Sequence, residues 1–274
     1  MADKRQYKLL ALDMDGTTLD SGKKFPAEIS RAIHALRARG VEVIVSSGRA
    51  KAELRDYTRE LADFAYGVLL SGGLVYDFRA GKPLFQKALP EEDARSILQA
   101  ADEAGAMTQF MTVHESVTRG SQIASMADYG MEIYQEMYER VCRREENLAD
   151  FIREHSNEIC KINVYHRDEA SREQTLRKLK RRNLTISFAE RTALEMSPKG
   201  ITKAHGLQVV CDYLGIRTDE VVAIGDAPND IDVLKTAGLA VAMGNAAEEI
   251  KGICDVVVAD NDHLGVLEAI QRFF

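Results

Sequence analysis

Two aspartates at the end of a short apolar run are the first residues in this chain whose types and spacing suit chemistry. The apolar run at positions 9–12 is followed by Asp13, and Asp15 and Gly16 come two and three residues after Asp13. Two carboxylates one residue apart face a single point only if the backbone turns, and glycine permits that turn. Such a pair suits Mg²⁺ and can supply both a nucleophile and a proton donor. The alternative is an ordinary turn after a strand, because Asp and Gly are common turn formers.

Polar residues also follow two other apolar runs. The run at 41–45 ends in S-S-G-R, where Ser47 and Gly48 offer a hydroxyl and backbone N–H groups to an anion at the start of a helix. The alternative there is a serine that only caps the helix. The run at 221–224 ends in G-D-A-P-N-D, so Asp226 and Asp230 lie four residues apart across a strand-to-helix turn. We expect these two carboxylates to converge on one cation.

The elements that must position these residues alternate between strand and helix. Strands are predicted at 41–45 and 68–70 after the first strand, with a helix over 26–39. A helix over 201–214 carries Lys203, and strands at 221–224, 238–243 and 255–259 and a helix over 264–272 follow it. This order predicts an α/β fold with a doubly wound parallel sheet, in which ligands bind at the carboxyl ends of the strands.

An inserted α+β domain interrupts this pattern. A helix is predicted over 91–104, with strands near 107–113, 160–165 and 185–189. We therefore predict a core domain formed by residues 1–82 and 198–274 and a cap domain formed by residues 83–197.

Two segments of the insert have a bland and a sharper interpretation. Six residues are spaced about as one helix face requires: Met126, Met131, Tyr134, Met137, Tyr138 and Val141. We expect this face to pack on the insert's own sheet. The alternative is an adaptable, Met-rich surface that binds substrate or a partner subunit. The basic run at 177–182 lies at the predicted end of a helix, and we interpret it as a solvated face rather than a nucleic-acid site.

Composition narrows the class of protein. The chain has 274 residues, of which 45% are hydrophobic and 29% charged, and its formal net charge is −7. This is the profile of a globular protein, and it argues against non-specific binding to nucleic acids or anionic membranes. The four cysteines are widely spaced and the apolar run before Asp13 is too short for a signal peptide, so we expect reduced thiols and a cytoplasmic protein.

Taken together, the motifs resemble those of the haloacid dehalogenase superfamily, of the Cof-type subgroup with a type IIB cap. The resemblance rests on D-M-D-G-T-T at 13–18, S-S-G-R at 46–49, Lys203 in G-I-T-K-A, G-D-A-P-N-D at 225–230 and A-G-L-A-V-A-M-G-N-A at 237–246. It covers almost the whole chain. It implies a Rossmann-like core with the cap inserted after the third strand.

The resemblance also implies catalytic roles. Asp13 would attack phosphorus and form an aspartyl-phosphate, and Asp15 would protonate the leaving alkoxide and then accept a proton from water. Ser47 and Lys203 would hold the phosphoryl oxygens. The family often has Thr where Ser47 stands, a change that keeps the hydroxyl.

The same resemblance implies a metal site and further contacts to substrate. Mg²⁺ would be held by Asp13, the backbone carbonyl of Asp15 and Asp226, with Asp230 and Asn229 as direct or outer partners. Asn229 and Gly48 would also contact the substrate. Lys199 lies four residues before Lys203, but the family spacing favours Lys203 as the motif lysine.

The resemblance therefore implies a Mg²⁺-dependent phosphatase acting on a small phosphomonoester, such as a sugar phosphate or a related metabolite. The alternatives are a phosphomutase with the same aspartate nucleophile and a noncatalytic sensor of phosphate ligands. We expect no nucleic-acid or membrane partner, and a monomer or weak homodimer.

Overall fold

The computed structural model describes residues 7–188 and 191–274, and the chain divides into two compact units. The core unit comprises the chain up to Gly48, Tyr57–Phe85 and Thr202–Phe274, and the inserted unit comprises Arg49–Asp56 and Gln86–Ile201. The domain limits predicted from the sequence stay a prediction. They differ from these units at Arg49–Asp56, which the sequence analysis placed in the core, and by a few residues at both boundaries of the insert, at positions 83–85 and 198–201.

The core unit is built on a sheet that has eight strands among the described residues, in the order β14-β13-β12-β1-β2-β3-β4-β5. Numbered along the chain, these strands are β1 Leu9–Leu12, β2 Glu42–Ser46, β3 Tyr66–Leu69, β4 Leu74–Asp77, β5 Lys82–Gln86, β12 Val221–Gly225, β13 Leu239–Ala242 and β14 Val256–Val257. The strands from β14 to β3 run parallel to their neighbours, whereas β4 runs antiparallel to β3. The predicted parallel α/β core is confirmed, and β4 and β5 extend it at one edge.

The central strand β1 is apolar along its whole length because both of its faces are covered. Leu9–Leu12 are at most 1% exposed. Such a continuous apolar run is typical of a strand in a parallel sheet. The helices of the core unit are α1 Ala27–Ala38, α7 Lys203–Leu214, α8 Ile231–Thr236, α9 Glu248–Lys251 and α10 Gly265–Phe273.

The topology brings three strand ends together. β1 pairs with β2 on one side and with β12 on the other, and Leu12 lies opposite both Val45 and Ile224. The segments that follow these three strands therefore leave the same edge of the sheet at neighbouring positions. This is the point in an open parallel sheet where ligands usually bind.

The inserted unit holds a second sheet, six-stranded in the part of the chain that the structure describes, in the order β10-β11-β9-β6-β7-β8. Its strands are β6 Met107–Met111, β7 Ser116–Thr118, β8 Cys142–Arg144, β9 Lys161–Tyr165, β10 Leu184–Ser187 and β11 Ala193–Pro198. Its helices are α2 Glu91–Glu103, α3 Gly120–Ile123, α4 Gln135–Val141, α5 Leu148–Glu154 and α6 Glu169–Leu179. The predicted α+β insert is confirmed, although Ala189, the last residue of one predicted strand, lies outside the described residues.

The sheet of the inserted unit has two different faces. One face, with Ile162 and Val164 of β9, packs in an apolar cluster with residues of α2, α5 and α6. The alternate residues of β9 point to the other face and are polar: Lys161, Asn163 and Tyr165. All three are at most 7% exposed, so this polar face is also buried.

The six-residue Met and Tyr pattern does not lie on one helix, and that prediction is wrong. The segment forms the 3-10 helices Met126–Tyr129 and Glu132–Tyr134 and then α4. Gly130 separates the first two with a φ of +68°, a left-handed conformation that a continuing helix cannot contain. The six side chains nevertheless pack in one cluster with Met107 and Tyr165 of the sheet, as expected of residues covering the insert's own strands.

Two surface features of the chain bear on its partners. The basic run at 177–182 covers the end of α6 and the start of the loop after it. Its five basic residues are exposed, as predicted, whereas Leu179 is buried. Lys178 pairs with Glu103, and Arg182 Nη1 lies 3.0 Å from Glu92 Oε1, so two of these cations have acidic partners on α2. Among the described residues, the helices are all too short or too polar to cross a membrane.

Candidate active site

Three carboxylates converge where β1 and β12 end. Asp13 continues β1, and its backbone N–H donates to the carbonyl of Ile224 in β12 at 3.2 Å. Asp226 and Asp230 follow β12, and one oxygen of each of the three carboxylates lies within 4.8 Å of the others. The structure therefore brings together Asp13, Asp226 and Asp230 of the predicted metal ligands.

A buried lysine lies inside this cluster. Lys203 begins α7, and its Nζ is 2.7 Å from Asp13 Oδ1 and 2.6 Å from Asp230 Oδ1. The side chain is only 1% exposed. Thr202 fixes the start of the helix, because its Oγ1 accepts a hydrogen bond from the N–H of His205. Burial opposes the charge of Lys203, but the two aspartates more than offset this and raise the pKa of its ammonium.

The cluster holds more negative charge than one ammonium can balance. Burial raises the pKa of Asp13 well above its ordinary value, and Asp230 and Asp226 add to the increase while Lys203 opposes it. Burial, followed by repulsion from Asp230, raises the pKa of Asp226 to about 7. Several closely spaced carboxylate oxygens with a deficit of positive charge are the donor set that suits Mg²⁺. The residues present therefore fit a divalent cation.

Two glycines allow the carboxylates to approach the backbone. Gly16 has a φ of +75°, and a Cβ at that position would lie 2.4 Å from Asp226 Oδ2. A Cβ on Gly225 would lie 2.5 Å from Asp230 Cγ. Contacts this short do not occur with real Cβ atoms, so any side chain at either position would displace a carboxylate of the cluster.

Backbone and hydroxyl donors orient the two acids after β12. Asp230 Oδ2 accepts from the N–H groups of Asp226 at 3.2 Å and Ala227 at 3.1 Å. A 3-10 helix over Pro228–Asp230 follows β12, with proline at its first position, where its fixed φ suits the start of a helix. Thr17 Oγ1 donates to Asp226 Oδ1 at 2.8 Å.

Asp15 is not one of the three convergent carboxylates. Its Oδ1 is 2.8 Å from Nζ of Lys23, and its side chain is about one-third exposed. The role of Asp15 in proton transfer stays a prediction. The participation of its backbone carbonyl in metal binding stays a prediction.

Ser47 and Gly48 follow β2 at the same edge of the sheet. Ser47 is buried, and its N–H donates to the carbonyl of Val68 at 2.8 Å. Its carbonyl accepts from the N–H of Ser71 at 3.1 Å. Ser71 itself has a φ of +53°. The backbone at Ser47 is thus fixed on both sides, while its predicted contact with phosphate stays a prediction.

Asn229 is placed beside the cluster by the turn after β12. Its Oδ1 is buried, and no hydrogen-bond partner for this atom lies among the described residues. A buried amide oxygen without a partner is costly, which agrees with a polar ligand at this position. The predicted contact of Asn229 with substrate nevertheless stays a prediction.

Three residues of the site did not stand out in the sequence. Thr17 and Asn245 lie within the recognised motifs, but their roles depend on contacts across the fold. Asn245 Nδ2 donates to the carbonyl of Gly16 at 2.8 Å, which holds the loop after β1 in place. Lys23 has no motif, and only the structure shows that it reaches Asp15.

Comparison with known proteins identifies the family. A model of the haloacid dehalogenase-like hydrolases matches residues 10–270. The chain therefore belongs to this family, and the Cof-type resemblance is confirmed.

Curated relatives span the chain from end to end. The chain is 28% identical to the 5-amino-6-(5-phospho-D-ribitylamino)uracil phosphatase YcsE of Bacillus subtilis, over 97% of this chain and 95% of that protein. It is also 26% identical to the chloroplastic endoribonuclease YBEY of Arabidopsis thaliana, but it spans only 47% of the length of that protein.

Solved structures agree on the fold. A haloacid dehalogenase-like hydrolase from Bacteroides thetaiotaomicron is 27% identical and superimposes with a TM-score of 0.83, over 98% of this chain and all of that one. A sugar phosphatase of HAD subclass IIB is 21% identical, with a TM-score of 0.81 over 97% of this chain and 98% of that one. The likeness to the second structure shows the fold, a Rossmann-like core with an inserted domain.

Proposed function

We propose that this protein is a Mg²⁺-dependent phosphatase that hydrolyses a small phosphomonoester through an aspartyl-phosphate on Asp13. Its class, a phosphatase of the haloacid dehalogenase-like family, follows from the family match and from relatives that are themselves named phosphatases. The metal, the intermediate and the substrate are the parts that we propose.

The observation that carries the proposal is the position of Asp13. It lies at the end of the central strand and is 5% exposed, in contact with Lys203 and close to two further carboxylates. A binding protein for phosphate has no need of a buried carboxylate, which would repel its ligand. A nucleophile that forms a covalent intermediate does need one, provided that positive charge offsets the repulsion.

The proposed reaction has two steps. In the first, a carboxylate oxygen of Asp13 attacks phosphorus, the bond from phosphorus to the leaving oxygen breaks, and Asp15 gives that oxygen a proton. In the second, water attacks phosphorus, Asp15 takes a proton from the water, and the bond from phosphorus to Asp13 breaks. Inorganic phosphate and the original carboxylate are the products.

The remaining residues would hold charge and position. Asp13, Asp226, Asp230 and the backbone carbonyl of Asp15 would hold Mg²⁺, which would offset the repulsion between phosphate and carboxylates. Lys203 already contacts Asp13, so a phosphoryl group joined to that carboxylate would come within reach of its ammonium. Ser47 would donate to another phosphoryl oxygen from the end of β2.

A small phosphorylated metabolite is the substrate class that we propose, most specifically a sugar phosphate or a related compound. One relative, by its name, acts on a phosphorylated ribityl compound, which supports this class. A cytoplasmic location and a monomer or weak homodimer remain predictions.

Phosphate release from a panel of sugar phosphates, nucleotides and flavin mononucleotide tests the proposal. The assay would run with Mg²⁺, with EDTA and with Asp13→Asn, and Asp212→Asn on the exposed side of α7 would serve as the matched control. We expect release that requires Mg²⁺, disappears in Asp13→Asn and persists in Asp212→Asn. Release that survives Asp13→Asn would rule out the covalent mechanism, and no release from any compound would contradict the phosphatase assignment.

A further inference from the structure

The segment Arg49–Asp56 follows the Ser47-Gly48 loop directly in the chain, yet it packs as part of the inserted unit. Most of it is a 3-10 helix over Lys51–Tyr57. Three contacts within the inserted unit anchor its beginning, middle and end: Arg49 with Met137, Glu53 with Gln109, and Asp56 with Arg140.

Glu53 makes the deepest of these contacts. It is 5% exposed, and its two carboxylate oxygens have different partners. Oε2 accepts from the N–H of Ala50 at 2.9 Å, and Oε1 accepts from Gln109 Nε2 at 2.5 Å. Burial raises the pKa of Glu53, although the Ala50 N–H and Arg49 oppose the increase. A buried carboxylate costs stability unless its hydrogen bonds are made, so its presence here calls for a role.

Gln109 is itself held from every side. Its second amide hydrogen reaches Ser116 Oγ at 2.7 Å, and its Oε1 accepts from Asn163 Nδ2 at 3.2 Å and from Tyr165 Oη at 3.1 Å. With the bond to Glu53, all four hydrogen-bonding positions of the amide are used. Gln109 is 1% exposed and lies in the middle of β6, so it presents Glu53 with a donor in a fixed position.

We propose that Glu53 and Gln109 are positioning residues for the Ser47-Gly48 loop, an inference that rests on the proposed function. Glu53 fixes the N–H of Ala50, two residues after Gly48, and Gln109 fixes Glu53. The chain that continues from Gly48 is thereby held at Ala50, within the inserted unit. Because a small displacement of a group that binds the reacting phosphate lowers the rate strongly, the tie acts on catalysis through Ser47.

The chain offers a reciprocal exchange that tests this tie. Glu53→Gln puts an amide NH₂ against either the Ala50 N–H or the Gln109 NH₂, so one hydrogen bond must fail. Adding Gln109→Glu restores the match, because the new carboxylate accepts from residue 53 and from the other three neighbours. Thr175→Val is the control, since Thr175 is a fully buried residue of the same unit whose Oγ1 lies 2.9 Å from His166 Nε2, away from Glu53 and Gln109 in the hydrogen-bond network.

Two readouts separate positioning from general damage to the fold. The first is turnover of p-nitrophenyl phosphate, with the inhibition constant of inorganic phosphate and the melting temperature of each variant. The second is amide hydrogen exchange of the peptide that spans positions 46–52, which needs no activity. We expect Glu53→Gln to weaken phosphate binding and to speed exchange in this peptide by about tenfold each, the effect of one charged hydrogen bond.

The outcomes are distinct. The double variant should recover phosphate binding and exchange protection, and Thr175→Val should leave both unchanged even if it melts at a lower temperature. The inference is overturned if Glu53→Gln behaves as the wild-type protein, if the exchange gives no rescue, or if Thr175→Val has the same effect on the loop. If the wild-type protein releases no phosphate, the proposed function fails, while amide exchange still decides whether the tie exists.

Discussion

In protein freed of divalent cations, the free energy of unfolding should fall as the pH rises from about 4 to about 7, because Asp226 then loses a proton that the fold favours. The pKa of Asp226 is about 7 in the folded protein, against an ordinary value of 3.8. Between these values the folded protein binds a proton that the unfolded chain has released. The free energy of unfolding therefore decreases as the pH rises over this window, and the stabilising contribution of protonated Asp226 is fully present only below the window.

The size of the effect follows from the same two values. A difference of about three pKa units corresponds to about 4 kcal/mol, taken as an upper limit because Asp226 titrates together with its neighbours. Asp13 changes stability in the same direction, since its pKa is also raised. Burial lowers the pKa of His166, which works in the opposite direction below its ordinary value of 6.5.

Urea unfolding at pH values from 4 to 8, in EDTA and in excess Mg²⁺, measures this dependence. The contribution of Asp226 is the difference between the wild-type protein and Asp226→Asn, which cancels that of His166. We expect the wild-type protein to lose stability with pH in EDTA and to regain about 3 kcal/mol at pH 7 when Mg²⁺ is at 100 times its dissociation constant. Asp226→Asn should show a flatter profile and a weaker response to Mg²⁺.

A different result would refute the reasoning. If stability in EDTA is constant or rises between pH 4 and pH 7 relative to Asp226→Asn, the carboxylates do not repel one another as their geometry indicates. If Asp212→Asn flattens the profile as much as Asp226→Asn, the slope belongs to the general charge of the protein and not to this site.

Two further predictions concern the residues around the cluster. Lys203→Met should destabilise the protein by about 3–5 kcal/mol at pH 7 in EDTA, because it leaves buried carboxylates without their cation; urea unfolding measures the loss, which should shrink at pH 5. Gly16→Ala should weaken Mg²⁺ binding at least tenfold in a calorimetric titration, because its methyl group would displace Asp226.

Each of these variants has a matched control in the chain. Lys199→Met removes an exposed lysine four residues before Lys203 and should leave stability nearly unchanged. Gly81→Ala introduces a methyl group at a φ of +66° with nothing within 4 Å, so it reproduces the backbone strain of Gly16→Ala without the contact. Equal losses in a variant and its control would contradict the roles given to Lys203 and Gly16.

The convergence of the three carboxylates was predictable because the end of each strand is encoded locally. Asp13 and Asp226 each interrupt an apolar run, and parallel strands place such interruptions at one edge of the sheet. The register that sets Leu12 opposite Ile224 then follows from the pairing of β1 with β12. The distances between these side chains could not be predicted, because nothing in the local sequence indicates that the ammonium of Lys203 bonds to two aspartates at once.

Other features lacked a local signal or gave a misleading one. Strand β5 contains Pro83 and is mostly exposed, so its sequence does not indicate a strand. The Met and Tyr pattern repeats at helical intervals, but Gly130 breaks the chain direction while packing keeps the side chains together. Glu53 occurs in a helical pattern, where a charged residue usually predicts a solvent-exposed face.

Several features of the site lower the local stability of the fold. Glycine at positions 16 and 225 lets the carboxylates approach the backbone, Lys203 is buried at a cost in solvation, and the pKa values of Asp13 and Asp226 move towards the uncharged form. Each feature is unfavourable by itself, and a divalent cation that shared the carboxylate oxygens would offset the repulsion among the carboxylates. Such a concentration of charge at the end of a central strand is explained better by selection for binding a cation and an anionic substrate than by selection for stability.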